Sequence, residues 1–242
     1  MNLSEFITAA SDAWGLLVSY PFRWLAVVVV FLVAVESLMF IPYVGFVIKL
    51  AVAGIVFPQV VAMFAGAAQG KAPSPVGMLG AFSFPPSTQA VLVGAALLPF
   101  AFGILFLYIE GGTQAIEFFF GNILKTKPPS TALFDQFKYV MQFIALPLTL
   151  LAGAVVVKGL VGLTALSAAL SAAVENWLPV LLVALLALAI EWSSVQLPSV
   201  LPKPIAVAIG GVLLVVFLAW SFAINYTVSA KIFGTPAVKS AA

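Results

Sequence analysis

The stretch that decides the fold of this chain is WLAVVVVFLVAV, which runs from Trp24 to Val35 without a charged side chain. A second such run, IAVAIGGVLLVVFLAWSFA, extends from Ile205 to Ala223. Strands of a membrane barrel alternate polar and apolar residues, whereas continuous apolar runs of this length are typical of transmembrane helices. We therefore predict an all-α fold, a polytopic transmembrane helical bundle.

The composition of the 242 residues favours the same fold class, because 64% are hydrophobic and only 7% are charged. This length allows about six spans of roughly 20 residues each. Cysteine and histidine are both absent, which excludes disulfides, thiolate metal sites and histidine-based catalysis. The net charge of +2 includes no basic cluster, so we expect no nucleic-acid partner. We also expect no cofactor, no metal site and no catalytic residue.

Residues 1–20 have a pattern of their own. Apolar residues recur there at helical spacing, while Ser4, Ser11 and Asp12 fall elsewhere around the helix. This pattern predicts an amphipathic helix that lies in the membrane interface. The alternative is a solvated lead-in that packs on the bundle. The apolar positions are Leu3, Phe6, Ile7, Ala10, Trp14 and Leu17.

Residues 21–242 are predicted to form a single transmembrane domain of three helical hairpins, at about 21–69, 87–124 and 138–230. Linkers that contain lysine, proline and serine separate the hairpins at 70–75 and 125–130. In the second hairpin, Leu107 to Leu124 is predicted to return across the membrane as a shorter, more polar span. Trp177 to Trp192 is predicted to be re-entrant or packed on the outer leaflet, because about 14 uncharged residues rise only roughly 21 Å.

Basic residues near span ends favour the cytoplasmic side of a membrane. With six spans, seven basic residues fall inside and both termini are cytoplasmic. With seven spans, in which Trp177 to Trp192 also crosses, the division is six against four. We therefore predict six spans. The seven basic residues are Arg23, Lys71, Lys125, Lys127, Lys138, Lys231 and Lys239, and the other three are Lys49, Lys158 and Lys203.

Several turn and helix-end motifs resemble those of an uncharacterised family of six-helix bacterial inner-membrane proteins. This family is distantly similar to the Yip-like families and to the membrane domain of glycerophosphodiester phosphodiesterases. The motifs are Tyr20-Pro21-Phe22-Arg23-Trp24, Ile41-Pro42-Tyr43-Val44-Gly45, Gly70-Lys71-Ala72-Pro73-Ser74, Lys127 to Ser130, and Lys231-Ile232-Phe233-Gly234. The connection from Gly162 to Pro204 is longer than the third connection that this family pattern leads us to expect. The resemblance implies a bacterial inner-membrane bundle of unassigned role.

Ionisable residues inside a membrane are costly and indicate functional sites. Glu110 and Glu117 are seven residues apart, or about two helical turns, and Gln114 lies on the same stripe between them. We predict that these three residues face the bundle interior. They would form the polar lining of a path or cavity. The alternative is that Glu110 lies near the outer interface, where water reaches it, while Glu117 is hydrogen-bonded between helices. Gly111 and Gly112 beside Glu110 would permit a break in the helix there.

Two functional hypotheses follow. The first is a non-enzymatic scaffold or accessory subunit of a membrane complex, with a protein partner or a second copy of the chain in the lipid bilayer. The alternative is a small transporter or channel-like protein whose polar lining is Glu110, Gln114 and Glu117. A membrane enzyme would need a cluster of nucleophiles or carboxylates at one interface. The sequence has no such cluster.

Overall fold

The computed structural model describes residues 1–121, 126–200 and 203–234, and the side chains of these except residues 187, 190–200, 203–204 and 206–208. This part of the chain is helical and contains no strand, which confirms the predicted fold class. The helices are α1 (Leu3–Ser19), α2 (Pro21–Ser37), α3 (Gly45–Ala67), α4 (Pro86–Phe120), α5 (Thr131–Ala145), α6 (Leu151–Val156), α7 (Gly162–Glu175), α8 (Trp177–Val200) and α9 (Lys203–Phe233). Short 3-10 helices lie at Leu38–Phe40, Pro75–Ser83 and Leu146–Leu148.

Five segments of the described chain are helices long and apolar enough to cross a membrane. Helices α7 and α8 meet at a bend of 92° and form a sixth crossing if the pair is counted as one span. The chain is therefore a multi-pass membrane protein. The five segments are Pro21–Phe40, Gly45–Ala67, Pro86–Phe120, Thr131–Val156 and Ile209–Phe233.

Helices α2 and α3 form an antiparallel hairpin. The ring of Trp24, near the start of α2, stacks on Phe64, near the end of α3, with centroids 3.6 Å apart. At the other end of the pair, the ammonium of Lys49 lies 2.7 Å from the carboxylate of Glu36. We call the end of the bundle that holds Trp24 the terminal end, and the end that holds Glu36 the distal end.

Helix α4 runs antiparallel to α3, and the two backbones approach closely at Gly54. A Cβ atom added to Gly54 would lie 2.6 Å from the Cβ of Ala96. Nearer the distal end, the rings of Phe46 and Phe100 lie 5.0 Å apart. Because helices in lipid gain little from the hydrophobic effect, such close packing holds them together.

The chain then returns from the distal end along α5 and α6, and α9 runs parallel to this pair. Gly153 packs on Ser229, and the side-chain amide of Asn225 donates a hydrogen bond of 2.9 Å to the Thr149 carbonyl. Helix α9 therefore ends at the terminal end, where α2 begins. Helix α8 is antiparallel to α9, since Asn176 lies beside Ile232 whereas Val183 lies near Ser221.

One of the predicted spans needs correction. Leu107 to Leu124 is not a separate crossing as far as it is described: α4 continues to a break at Gly112, and only residues 113–120 follow as helix. Trp177 to Trp192 belongs to α8, a helix of 24 residues. Together with α7 it forms either one broken span or a re-entrant segment, so its re-entrant character stays a prediction. The described chain therefore has five spans, or six if this bent pair is one span.

These helix directions change the predicted distribution of basic residues between the two ends of the bundle. Four of them lie at the terminal end and four at the distal end, so their positions no longer favour one orientation. The first group is Arg23, Lys71, Lys158 and Lys231, and the second is Lys49, Lys127, Lys138 and Lys203. Lys125 and Lys239 lie outside the described residues.

Helix α1 packs across the last turns of α9. The hydroxyl of Thr227 donates a hydrogen bond of 2.8 Å to the Ala9 carbonyl, and Lys231 forms an ion pair of 3.6 Å with Asp12. Ala9 and Ala13 are fully buried at this contact. The predicted helix is present, but its apolar face is divided: Phe6 and Leu17 are buried, whereas other predicted members are exposed. The exposed members are Leu3, Ile7 and Trp14.

The close approach at Gly54 predicts the effect of adding a side chain there. Gly54→Val should lower the free energy of unfolding by about 1–3 kcal/mol, because the new atoms would overlap α4. The matched control is Gly94→Val, since a Cβ at Gly94 would meet nothing within 4 Å. Thermal unfolding in detergent measures both. Equal midpoints for the two variants would contradict the packing.

The position of the 126–130 linker distinguishes the structure from the predicted topology. The natural chain has no cysteine, so single cysteines can be introduced directly. Pro128→Cys and Pro42→Cys should react with a membrane-impermeant maleimide from the same side, and Ser74→Cys from the opposite side. Labelling of intact and inverted vesicles measures this. If residues 128 and 74 react from one side, then α4 is followed by a return span.

Candidate functional site

The three residues predicted to line the interior lie at the distal end of α4. Glu110, Gln114 and Glu117 are all exposed at the surface of the chain. The helix on which their common stripe depends is interrupted, because Gly112 has φ 66° and ψ −163°. Residues on opposite sides of such a break do not share one helical face. The prediction that these residues face the bundle interior is therefore wrong.

Residues 113–120 form a short helix that folds back beside α4, and we call it the return helix. The rings of Phe100 and Phe119 lie 5.7 Å apart, although 19 residues of straight helix would separate them by roughly 28 Å. The amide of Tyr43 also donates a hydrogen bond of 3.2 Å to the Gly121 carbonyl. The return helix is thus fixed to the turn between α2 and α3.

An aromatic cluster fills the space between the return helix, α4 and α5. The ring of Phe119 lies 4.9 Å from Phe137 and 5.0 Å from Phe46. Rings at such distances in edge or tilted geometry gain specific interaction energy beyond their burial. Phe100, Phe118 and Phe134 complete the cluster. Gln114 and Glu117 therefore stand on a packed helix, whereas Glu110 lies just before the break at Gly112. We call the three surface residues Glu110, Gln114 and Glu117 the distal polar patch.

An open cavity of about 520 Å³ lies between α3, α4, α5, α6 and α9, and we call it the central cavity. Among the described residues, its walls are mostly aliphatic and aromatic, and none of the side chains is ionisable. The polar residues that line it are Gln142, Thr149, Ser221 and Asn225. The apolar walls include Phe31, Leu50, Phe57, Leu92, Met141 and Leu151.

Asn225 is the most informative residue of the central cavity. Only 4% of its surface is exposed. Its Nδ2 donates to the Thr149 carbonyl at 2.9 Å, and its Oδ1 has no hydrogen-bond partner in the described part of the chain. A carbonyl can only accept, so this contact fixes which end of the amide is the donor. The free acceptor is therefore the Oδ1 atom.

Two further depressions occur in the described chain. An apolar groove of about 390 Å³ lies between α2, α3 and the 3-10 helix at Pro75–Ser83. A polar pocket of about 490 Å³ at the terminal end is lined by Glu5, Asn176 and Lys231. Glu36 forms the ion pair with Lys49 at the distal end and is half exposed. Neither Glu36 nor the distal polar patch lines the central cavity.

The residues of the central cavity were not predicted from the sequence, because the candidates were ionisable residues and Gln114 on the same stripe. A signal was present, since Asn225 stands between Ile224 and Tyr226 in an otherwise apolar helix, and Gln142 is similarly placed in α5. An uncharged amide in an apolar span needs a hydrogen-bond partner just as a charge does. It is therefore a candidate site residue on the same grounds.

These features define the chain as a multi-pass helical membrane protein with an uncharged internal cavity and a polar surface patch at one end. No family model matches the chain, and no curated protein or solved structure matches it.

The break at Gly112 predicts a specific substitution effect. Its backbone conformation is one that only glycine adopts readily, so Gly112→Ala should lower the free energy of unfolding by about 1–3 kcal/mol. Gly211→Ala is the control, because Gly211 is helical and a Cβ there meets nothing within 4 Å. It should be neutral or slightly stabilising. Thermal unfolding in detergent separates the two outcomes, and a neutral Gly112→Ala would mean that α4 is continuous.

Proposed function

We propose that this chain is a non-enzymatic scaffold or accessory subunit of a membrane complex. The observation that carries the proposal is the distal polar patch. Gln114 and Glu117 are exposed on the return helix, which the aromatic cluster holds in place, and Glu110 is exposed just before the break at Gly112. Exposed carboxylates at one end of the bundle are suited to binding basic side chains of another protein.

The surroundings of the patch fit contact with another protein. Tyr108 and Ile109, immediately before Glu110, are 53% and 69% exposed. Aromatic residues supply much of the binding energy at protein interfaces. The partner would therefore combine basic residues with an apolar surface, and it is either a different protein or a second copy of the chain.

The transporter alternative loses its original basis. A polar path through the bundle requires the acidic residues to face inward, whereas Glu110 and Glu117 lie outside. The scaffold proposal uses the same residues in the positions they occupy. We extend it to a location in a bacterial inner membrane, which the resemblance of the turn motifs implies.

Charge reversal at the patch tests this function. The full chain is purified in mild detergent, and co-purifying proteins are identified by mass spectrometry. We expect a stoichiometric partner, or a defined oligomer by light scattering, with the wild-type chain. The combined variant Glu110→Lys and Glu117→Lys should lose it, because like charges would then oppose each other across the interface.

The matched control is Glu175→Lys, which reverses an exposed carboxylate at the other end of the bundle. This variant should retain the partner or oligomer. A wild-type chain that purifies alone as a monomer would contradict the proposal. Equal loss in the patch variant and in the control would also contradict it, because the effect would then be one of net charge.

A further inference from the structure

Two of the turn motifs meet at the terminal end of the bundle. The hydroxyl of Tyr20 donates a hydrogen bond of 3.1 Å to the Gly70 carbonyl. Arg23 stands three residues after Tyr20 at the start of α2, and Lys71 follows Gly70 directly. The contact therefore brings two basic residues to the same region of the surface. Neither motif takes part in the proposed function.

Both of these basic residues are available to a ligand. Arg23 and Lys71 are exposed, and neither side chain forms an ion pair or a hydrogen bond with any other described residue. The remaining basic residues of the terminal end differ, because Lys231 forms an ion pair and Lys158 lies over an aromatic ring. Arginine and lysine are the side chains that bind phosphate groups in proteins. A phosphate is therefore a ligand that this pair fits.

The second feature is the apolar groove between α2, α3 and the 3-10 helix at Pro75–Ser83, which we call the lateral groove. Its volume of about 390 Å³ is within the range of small-molecule sites, and all the residues that line it are apolar. One edge is a row of three residues at intervals of three, which is the repeat of a 3-10 helix. These residues, each more than half exposed, are Val76, Leu79 and Phe82. The groove is therefore open to lipid along this edge.

The two cations stand at the terminal ends of the helix faces that form the lateral groove. On α2, Val30 lines the groove and shares a face with Arg23, seven residues before it. Seven residues rise about 10 Å, which is less than the roughly 15 Å of hydrocarbon in one leaflet. On α3, Val52 lines the groove, and Gly66 lies on the same face four turns later. The side chain of Lys71 packs on Gly66.

We propose that this region binds one anionic phospholipid, with its phosphate between Arg23 and Lys71 and an acyl chain in the lateral groove. A lipid such as phosphatidylglycerol brings a net negative charge to the two basic side chains, which attract it at the membrane surface. The choline group of phosphatidylcholine would bring a positive charge to the same place. The site shares no residue with the distal polar patch and is independent of the scaffold function.

The test uses the full chain in mild detergent and a phosphatidylglycerol analogue with a diazirine on one acyl chain. Photolabelling should map to peptides of α2, α3 and the 3-10 helix. Unlabelled dioleoylphosphatidylglycerol should compete about tenfold better than dioleoylphosphatidylcholine. Glycerol 3-phosphate, which has the phosphate without acyl chains, should not compete. Labelling elsewhere, equal competition by the two phospholipids, or effective competition by glycerol 3-phosphate would overturn the proposal.

Substitution of the cations tests the headgroup contact. Arg23→Gln with Lys71→Gln should weaken competition by dioleoylphosphatidylglycerol about tenfold and leave that by dioleoylphosphatidylcholine unchanged. The matched control is Lys127→Gln with Lys158→Gln, which removes two exposed positive charges from other parts of the surface. It should bind both lipids as the wild type does. Equal weakening in the two double variants would overturn the contact, because the effect would then be one of net charge.

Substitutions at the groove test the seat of the acyl chain. Ala34→Phe fills the lateral groove from α2 and should reduce labelling at least tenfold, whereas Val33→Phe alters an exposed neighbour outside the groove and should label normally. Equal labelling of these two variants would overturn the assigned groove. They also decide the question if the Arg23 and Lys71 double variant does not fold. The patch variant Glu110→Lys with Glu117→Lys should label normally, so failure of the lipid site and failure of the scaffold function are distinguishable.

Discussion

The close approach of helices at residues with little or no side chain supports the rest of this structure. Gly54 faces Ala96, Gly153 faces Ser229, and Gly103 lies against the ring of Phe137. Lipid tails are as apolar as the side chains they would replace, so association depends on van der Waals contact between well-fitted surfaces. Where small residues allow that contact, as at Gly54 and Gly153, the helices pack tightly.

Lipid also constrains the polar side chains of the bundle, because it offers them no hydrogen-bond partners. In this bundle they bind backbone carbonyls of neighbouring helices: the indole of Trp24 donates to Leu16, that of Trp220 to Ala10, and Thr227 donates to Ala9. Such contacts satisfy groups that lipid cannot. Asn225 satisfies only one half of its amide in this way, which is why it stands out among the buried residues.

Much of the fold could be predicted from the sequence, because apolar runs such as Trp24 to Val35 determine helices in lipid without reference to the rest of the chain. The path of the chain could not be predicted so well. The pattern around Leu107 permits either a crossing helix or a short return helix, and contacts with Phe46 and Phe137, distant in sequence, select the second. The inward orientation assumed for Glu110 and Glu117 depended on an unbroken helix, which Gly112 prevents. Asn225 was detectable in principle, but its free acceptor depends on the position of Thr149.

The packing of α1 on α9 affects how the protein is assembled during synthesis. Ala9 and Thr227 are 218 residues apart, so α1 is synthesised well before the helix that it binds. At typical rates of translation the interval is roughly 10–40 s. During that time α9 is not there to cover the small-residue face of α1 at Ala9 and Ala13. Docking of α1 therefore waits for α9, and a chain stalled before α9 would expose that face to chaperones and quality-control proteases.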